Sequence, residues 1–322
     1  MCRNLPSLTG LHLSKNQLSG TIPTNLSQCS GVEVLSLSYN SFCGEIPSEI
    51  GYLTSLQLLY LGGNNLNGIL PHEIGHLQGL VSFGAEQNEI AGSIDFNIFM
   101  NMSSLQNINL WRNKFTGNLS RDVGNITMLT ELYFQENHLT GLIPTEFGQL
   151  YHLETIGLDL NSLSGSIPHE LFNISTLRSL SLVENALSGV IILYTASFLL
   201  LHVGNLSSSL REFYAENSKF SGNIPVEIGN LSNLMILFLP ANELSGNIPL
   251  TISHLHELQG LNLSHNMLGG SIPHAICDLF SLNTLVIVED KAKEIWRNFV
   301  IVLNLKLRSV QIQYINEAML LV

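Results

Sequence analysis

His72-Glu73-Ile74-Gly75-His76 reads H-E-x-x-H. On an α-helix that pattern puts two imidazoles on one face to hold zinc, with the glutamate as general base. The residues around it argue against that chemistry. They fall in the same columns as Ser48-Glu49-Ile50-Gly51-Tyr52, so Ile74 is a repeated core position. Gly75 weakens a helix, the repeat leaves room for only a short one, and no third ligand can be assigned. We expect no metal, no cofactor and no catalytic residues. The other histidines, such as His12, His265 and His274, are scattered and read as solvated. Cys2, Cys29, Cys43 and Cys277 form no C-x-x-C pair, which leaves zinc and dithiol chemistry unsupported. Cys29 stands in the column of Leu53 and Leu77 and reads as a small buried hydrophobe.

A second set of residues suits recognition. Outward-facing strand columns carry Tyr39, Tyr60, Glu86, Gln87, Trp111, Arg112, Tyr133, Gln135, Glu136, Asp159, Glu184, Glu212, Tyr214, Glu216 and Phe238. Aromatics interleaved with acids on an exposed sheet suit a peptide with basic groups, because Trp, Tyr and Arg concentrate binding energy. The candidate ligand-binding residues are Tyr60, Trp111, Arg112, Tyr133, Gln135, Asp159, Tyr214 and Phe238. Trp111, Arg112, Tyr133 and Gln135 form the densest cluster.

The elements that must position these residues are repeats. Leu153–Ile174 contains Leu153, Ile156, Leu158, Asn161, Leu163, Gly165, Ile167, Pro168 and Leu171, and the skeleton recurs about every 24 residues. L-x-x-L-x-L-x-x-N-x-L at that period marks a leucine-rich repeat. The alternating core predicts a short strand with its leucines inward. Stacked repeats then form a parallel sheet on the concave face, with irregular or 3-10 segments on the convex return. The fold class is an α/β-type repeat solenoid, a leucine-rich repeat horseshoe or superhelix. A recurring asparagine leaves the strand inward: Asn16, Asn40, Asn64, Asn88, Asn113, Asn137, Asn161, Asn185, Asn242 and Asn266. Its amide both donates and accepts, so this column is expected to be a structural ladder. Gly in the following column suits a tight turn, and Pro belongs to an outer segment that needs no donor.

The solenoid is expected over residues 1–287, with about eleven repeats and an irregular insertion at 190–204. A non-repeat tail follows at 288–322. In the insertion, the apolar run Val190–Val203 is too short and too polar for a membrane-spanning helix, and Ile192 replaces the expected proline. The tail either covers the last turn of the core or is unrelated sequence. The formal net charge of -12 argues against nucleic acid or an anionic membrane as partner.

The first ten residues have no apolar h-region and do not read as a signal peptide. Eight N-x-[ST] sequons nevertheless offer glycosylation candidates at Asn25, Asn101, Asn118, Asn125, Asn173, Asn205, Asn230 and Asn262. As a set they fit an extracellular protein.

The phrases LSGTIP (Leu18–Pro23), LTGLIP (Leu139–Pro144), LSGSIP (Leu163–Pro168), LSGNIP (Leu244–Pro249) and LGGSIP (Leu268–Pro273) resemble the plant-specific leucine-rich repeat class. Over residues 5 to about 287 the chain resembles ectodomains of plant leucine-rich repeat receptor-like serine/threonine kinases. That resemblance implies a non-catalytic recognition module at the extracellular face of the plasma membrane, active in signalling or defence. It also implies a peptide, protein or microbial-pattern ligand and a co-receptor ectodomain as partners. No G-x-G-x-x-G, H-R-D or D-F-G stands in this sequence, so kinase activity is not carried over. Two alternatives stay open: a soluble secreted inhibitor of microbial cell-wall-degrading enzymes, and a truncated receptor product without function.

Overall fold

The computed structural model describes residues 7–193 and 209–287. Residues 1–6, 194–208 and the tail from 288 lie outside the described residues, with Cys2, most of the insertion and Asn205 among them. The chain divides into two compact units, Met1–Ser164 and Gly165–Val322.

In the first unit, seven three-residue strands form one parallel sheet: Gly10–His12, Val34–Ser36, Leu58–Tyr60, Ser82–Gly84, Asn107–Asn109, Glu131–Tyr133 and Thr155–Gly157. Pairing places equivalent positions opposite one another, as in Ile108↔Leu132 and Leu132↔Ile156. The middle residue of each strand points inward. Leu59, Phe83, Ile108, Leu132 and Ile156 are fully buried, and burying such a side chain favours folding by about 1.5–3 kcal/mol. The second unit repeats the arrangement with Ser179–Ser181, Glu212–Tyr214, Ile236–Phe238, Gly260–Asn262 and Thr284–Val286. A second strand follows the turn in most repeats of each unit, such as Lys114–Asn118 paired with His138–Leu142 and Lys219–Asn223 paired with Glu243–Asn247.

The asparagine column accounts for backbone groups that the short strands leave open. Asn137 Nδ2 donates to the carbonyls of Leu110, Phe134 and Gln135, each at 3.1 Å, and its Oδ1 accepts from Phe115 N–H at 3.1 Å. The same four bonds recur at Asn64, Asn88 and Asn242. Asn16, at the first described turn, is exposed, and its side-chain amide donates to the carbonyls of Leu13 and Ser14 in its own repeat. The ninth repeat has Ser218 in this column; its hydroxyl reaches the carbonyls of Asn185 and Glu216 at 3.5 Å.

The residue before each ladder asparagine is in the left-handed region, as in Gln87 (φ 52°), Arg112 (φ 55°), Glu136 (φ 51°) and Leu160 (φ 53°). The chain must turn sharply to bring the asparagine inward, and a non-glycine residue there is strained. This corrects the reading of Tyr39, Gln87, Arg112, Glu136 and Glu184 as strand-face residues. They sit on the turn that leaves the strand.

The convex return is a five-residue 3-10 helix in most repeats, entered from an extended proline; Pro71 (φ −69°) precedes His72–His76. A 3-10 helix advances about 120° per residue, so residues four apart end about 120° apart around the axis. His72 and His76 therefore do not share a face as they would on an α-helix. Repeat eight departs from its template later than its sequence suggests. Ala186–Gly189 is a regular strand, and Ile191 and Leu193 are buried.

Cys29 is buried, as its column requires, but it is also disulfide-bonded, while Cys43 and Cys277 are free thiols. Its reading as a plain hydrophobe is thereby corrected. No helix among the described residues is long and apolar enough to cross a membrane.

Candidate functional site: an aromatic groove on the sheet face

In a strand, residues alternate between faces, so the residues flanking each buried leucine lie outward. Three neighbouring repeats of the first unit use those positions, and the residues just past the strand ends, to line an open groove of about 380 Å³. Its walls are Asn109, Trp111, Tyr133, Gln135, Asp159 and Leu160, with Glu136 at the rim. All but Glu136 and Leu160 are half-buried.

Gln135 forms part of the floor. Its amide lies flat across Gly157 on the next strand, where an added Cβ would stand 1.9 Å from Nε2. Gln135 Oε1 is buried and has no hydrogen-bond partner, a condition that costs about 1–3 kcal/mol. Glu131 accepts a short hydrogen bond from Asn107 Nδ2 across the strand pair. The Tyr133 phenol is pushed above its ordinary range, first by burial and then by the charge of Glu131, with a hydrogen bond to Thr155 acting in the opposite direction. The groove thus offers two large rings, an amide with a spare acceptor and the carboxylate residue Asp159 within one side chain's reach of each other.

The remaining candidates lie elsewhere. Tyr60 stands two strands before Trp111's repeat, beside Gly84. Arg112 is an exposed turn residue whose Nε is 3.7 Å from Glu136, outside the groove wall. Such an exposed pair contributes about 0–1 kcal/mol. Tyr214 and Phe238 belong to the second unit, where their rings meet edge to face at 5.7 Å and 84°. Burial, then Glu212 and Glu216, raise the Tyr214 phenol, and Ser179 Oγ bonds Glu212 at 3.1 Å. Asn109 was missed from the sequence although it stands in the column of Tyr60 and Tyr133; a column-by-column reading would have found it.

Of the sequons, Asn25, Asn101, Asn118, Asn125, Asn173 and Asn230 are exposed. Asn262 is half-buried at the end of a sheet strand, and its Oδ1 accepts from Ser264 N and Oγ at 3.1 and 2.7 Å. Around His72 and His76 there is a second depression of about 240 Å³, with Asp95 and Asn97. No group of side chains among the described residues could hold a metal ion.

Comparison with known proteins now fixes the class. Leucine-rich repeat family models match residues 127–187 and, one repeat each, 7–29, 31–53, 55–77 and 257–279. The chain is a leucine-rich repeat solenoid. Its likeness among solved structures is to ectodomains of plant leucine-rich repeat receptor kinases. The plant peptide hormone receptor RGFR1 in complex with RGF2 aligns with a TM-score of 0.81 at 34% identity, over 87% of this chain and 43% of that one. A TDR receptor gives 0.77 at 27%, over 89% and 52%. The Arabidopsis receptor kinase HAESA ectodomain, bound to an N-terminally extended IDA peptide hormone, gives 0.69 at 32%, over 88% and 50%. The chain spans about half the length of these structures. A search of curated protein sequences finds no match.

Proposed function

We propose that this chain is the non-catalytic, ligand-binding part of a plant receptor-like kinase, and that it captures a peptide on its strand face for signalling or defence. The carrying observation is the groove in which Trp111, Tyr133, Gln135 and Asp159 of three adjacent repeats converge. Ring-rich, half-buried faces concentrate binding energy, and an open groove suits one side chain of an extended peptide better than an enclosed small molecule. Likeness to ectodomains solved with RGF2 and IDA peptides supports the same reading. Placement at the outer face of the plasma membrane is supported by the Cys29 disulfide, since disulfides persist in oxidising compartments, and by six exposed sequon asparagines. A co-receptor ectodomain is the further partner this reading implies.

Selection of a displayed random-peptide library on the purified chain tests it. Recovered peptides should bind the native chain and be lost on Tyr133→Ala. Recovery of no peptide above background, or peptides indifferent to Tyr133, would overturn the reading.

A further inference from the structure

We infer that Glu86 is a reader of positive charge, so that the ligand carries an arginine or lysine side chain placed beside Tyr60. The inference rests on the proposed peptide-binding face and specifies the chemistry of its ligand.

Four observations meet at Glu86. First, its carboxylate lies on bare backbone. A Cβ at Gly62 would stand 2.1 Å from Oε1, and one at Gly84 would stand 2.9 Å from Oε2. Two glycines on adjacent repeats thus make a cradle one carboxylate wide. Second, a ring borders the cradle. A Cβ at Gly84 would also stand 3.3 Å from Cδ1 of Tyr60. Trp111 occupies Glu86's own column on the next repeat, on the side away from the cradle, its carbonyl accepting from Gln87 N–H at 2.9 Å. Third, no ion pair reaches Glu86 among the described residues, although the next repeat carries Arg112 and Lys114. Arg112 is turned to Glu136 and Lys114 to Glu89. Fourth, the adjoining groove holds the buried, unpartnered acceptor Oε1 of Gln135, a second call for a donor on the same face.

Burial is the largest influence on Glu86 and raises its carboxyl above the ordinary value; a bond from its own backbone amide opposes this only in part. A half-desolvated carboxylate gains more from an incoming cation than a solvated one does. A guanidinium satisfies both neighbours at once, through charge-assisted hydrogen bonds to the carboxylate and its flat face on the Tyr60 ring.

The library selected on the native chain should be enriched in Arg or Lys at one position. Replacing that residue by citrulline in a synthetic peptide should weaken binding about tenfold or more. Glu86→Gln should cause a loss of the same size and remove the enrichment. Gly62→Ala leaves the carboxylate present but pushes it off its cradle, so it should weaken binding while circular dichroism stays native. Peptides captured through Tyr133 with no basic position, or with equal affinity for native and Glu86→Gln chains, would overturn this inference and leave the peptide-binding reading standing. Capture of no peptide would overturn both.

Discussion

The amide of Gln135 lies across Gly157, so the groove floor exists because the next strand has no side chain at that position. Gly157 is not in the left-handed region, so alanine there suits the backbone and meets only the far end of a flexible side chain. Gly157→Ala should therefore evict the Gln135 amide, change the thermal midpoint by only a few degrees, and alter ligand affinity. Thermal melts and affinity measured on the same preparation check this. A large loss of stability with unchanged affinity would contradict it.

Removing a rung of the asparagine ladder should be costly. Asn137→Ala leaves the buried Phe115 N–H without its acceptor and takes one of two donors from the carbonyls of Leu110, Phe134 and Gln135, which keep Asn113, Asn161 and Arg112 N–H respectively. A buried group left unpaired costs about 1–3 kcal/mol, so a loss of that size in denaturant unfolding is expected. Asn16→Ala, at an exposed turn, should cost under about 0.5 kcal/mol.

Glu86 should make stability depend on pH. Its carboxyl is raised in the folded chain by burial, so the folded state binds the proton more readily than the unfolded one. Stability then falls as pH rises from the unfolded value, about 4.3, through the raised folded value. Glu86→Gln has no charge to desolvate. It should melt above the native chain at pH 7 and coincide with it below about pH 4. Melting curves at the two pH values decide this, and a variant less stable at pH 7 would refute the sign.

The Cys29 disulfide should hold the first described repeats. Cys29→Ser should cost about 2–4 kcal/mol, and hydrogen exchange should show the loss concentrated in the strands Gly10–His12 and Val34–Ser36. Uniform loosening across both units would argue against a local role.

Much of this was legible in the residues. Leu132, Ile156 and their column mates repeat with the strand period, and the asparagine column announced an inward amide. Proline marked each entry to the convex return, though not the 3-10 pitch that parts His72 from His76. The left-handed turn at Arg112 was hidden because most residues at that position carry a Cβ and look like ordinary strand residues. Only Gly63 gave the expected signal. The disulfide was hidden because Cys29 also fits a hydrophobic column. The cradle under Glu86 depends on which residues are missing at 62 and 84, a relation between repeats that no single repeat displays.

The most direct measurement is calorimetric affinity for a library-selected peptide, comparing the native chain, the Trp111→Ala/Tyr133→Ala double variant, and a control with Tyr52→Ala/Tyr151→Ala. The control rings are exposed residues of the convex return. Loss of a central aromatic pair should cost about 2 kcal/mol or more, at least a thirtyfold weakening, while the control binds like the native chain. Equal affinity across all three, with native circular dichroism, would contradict recognition on the strand face.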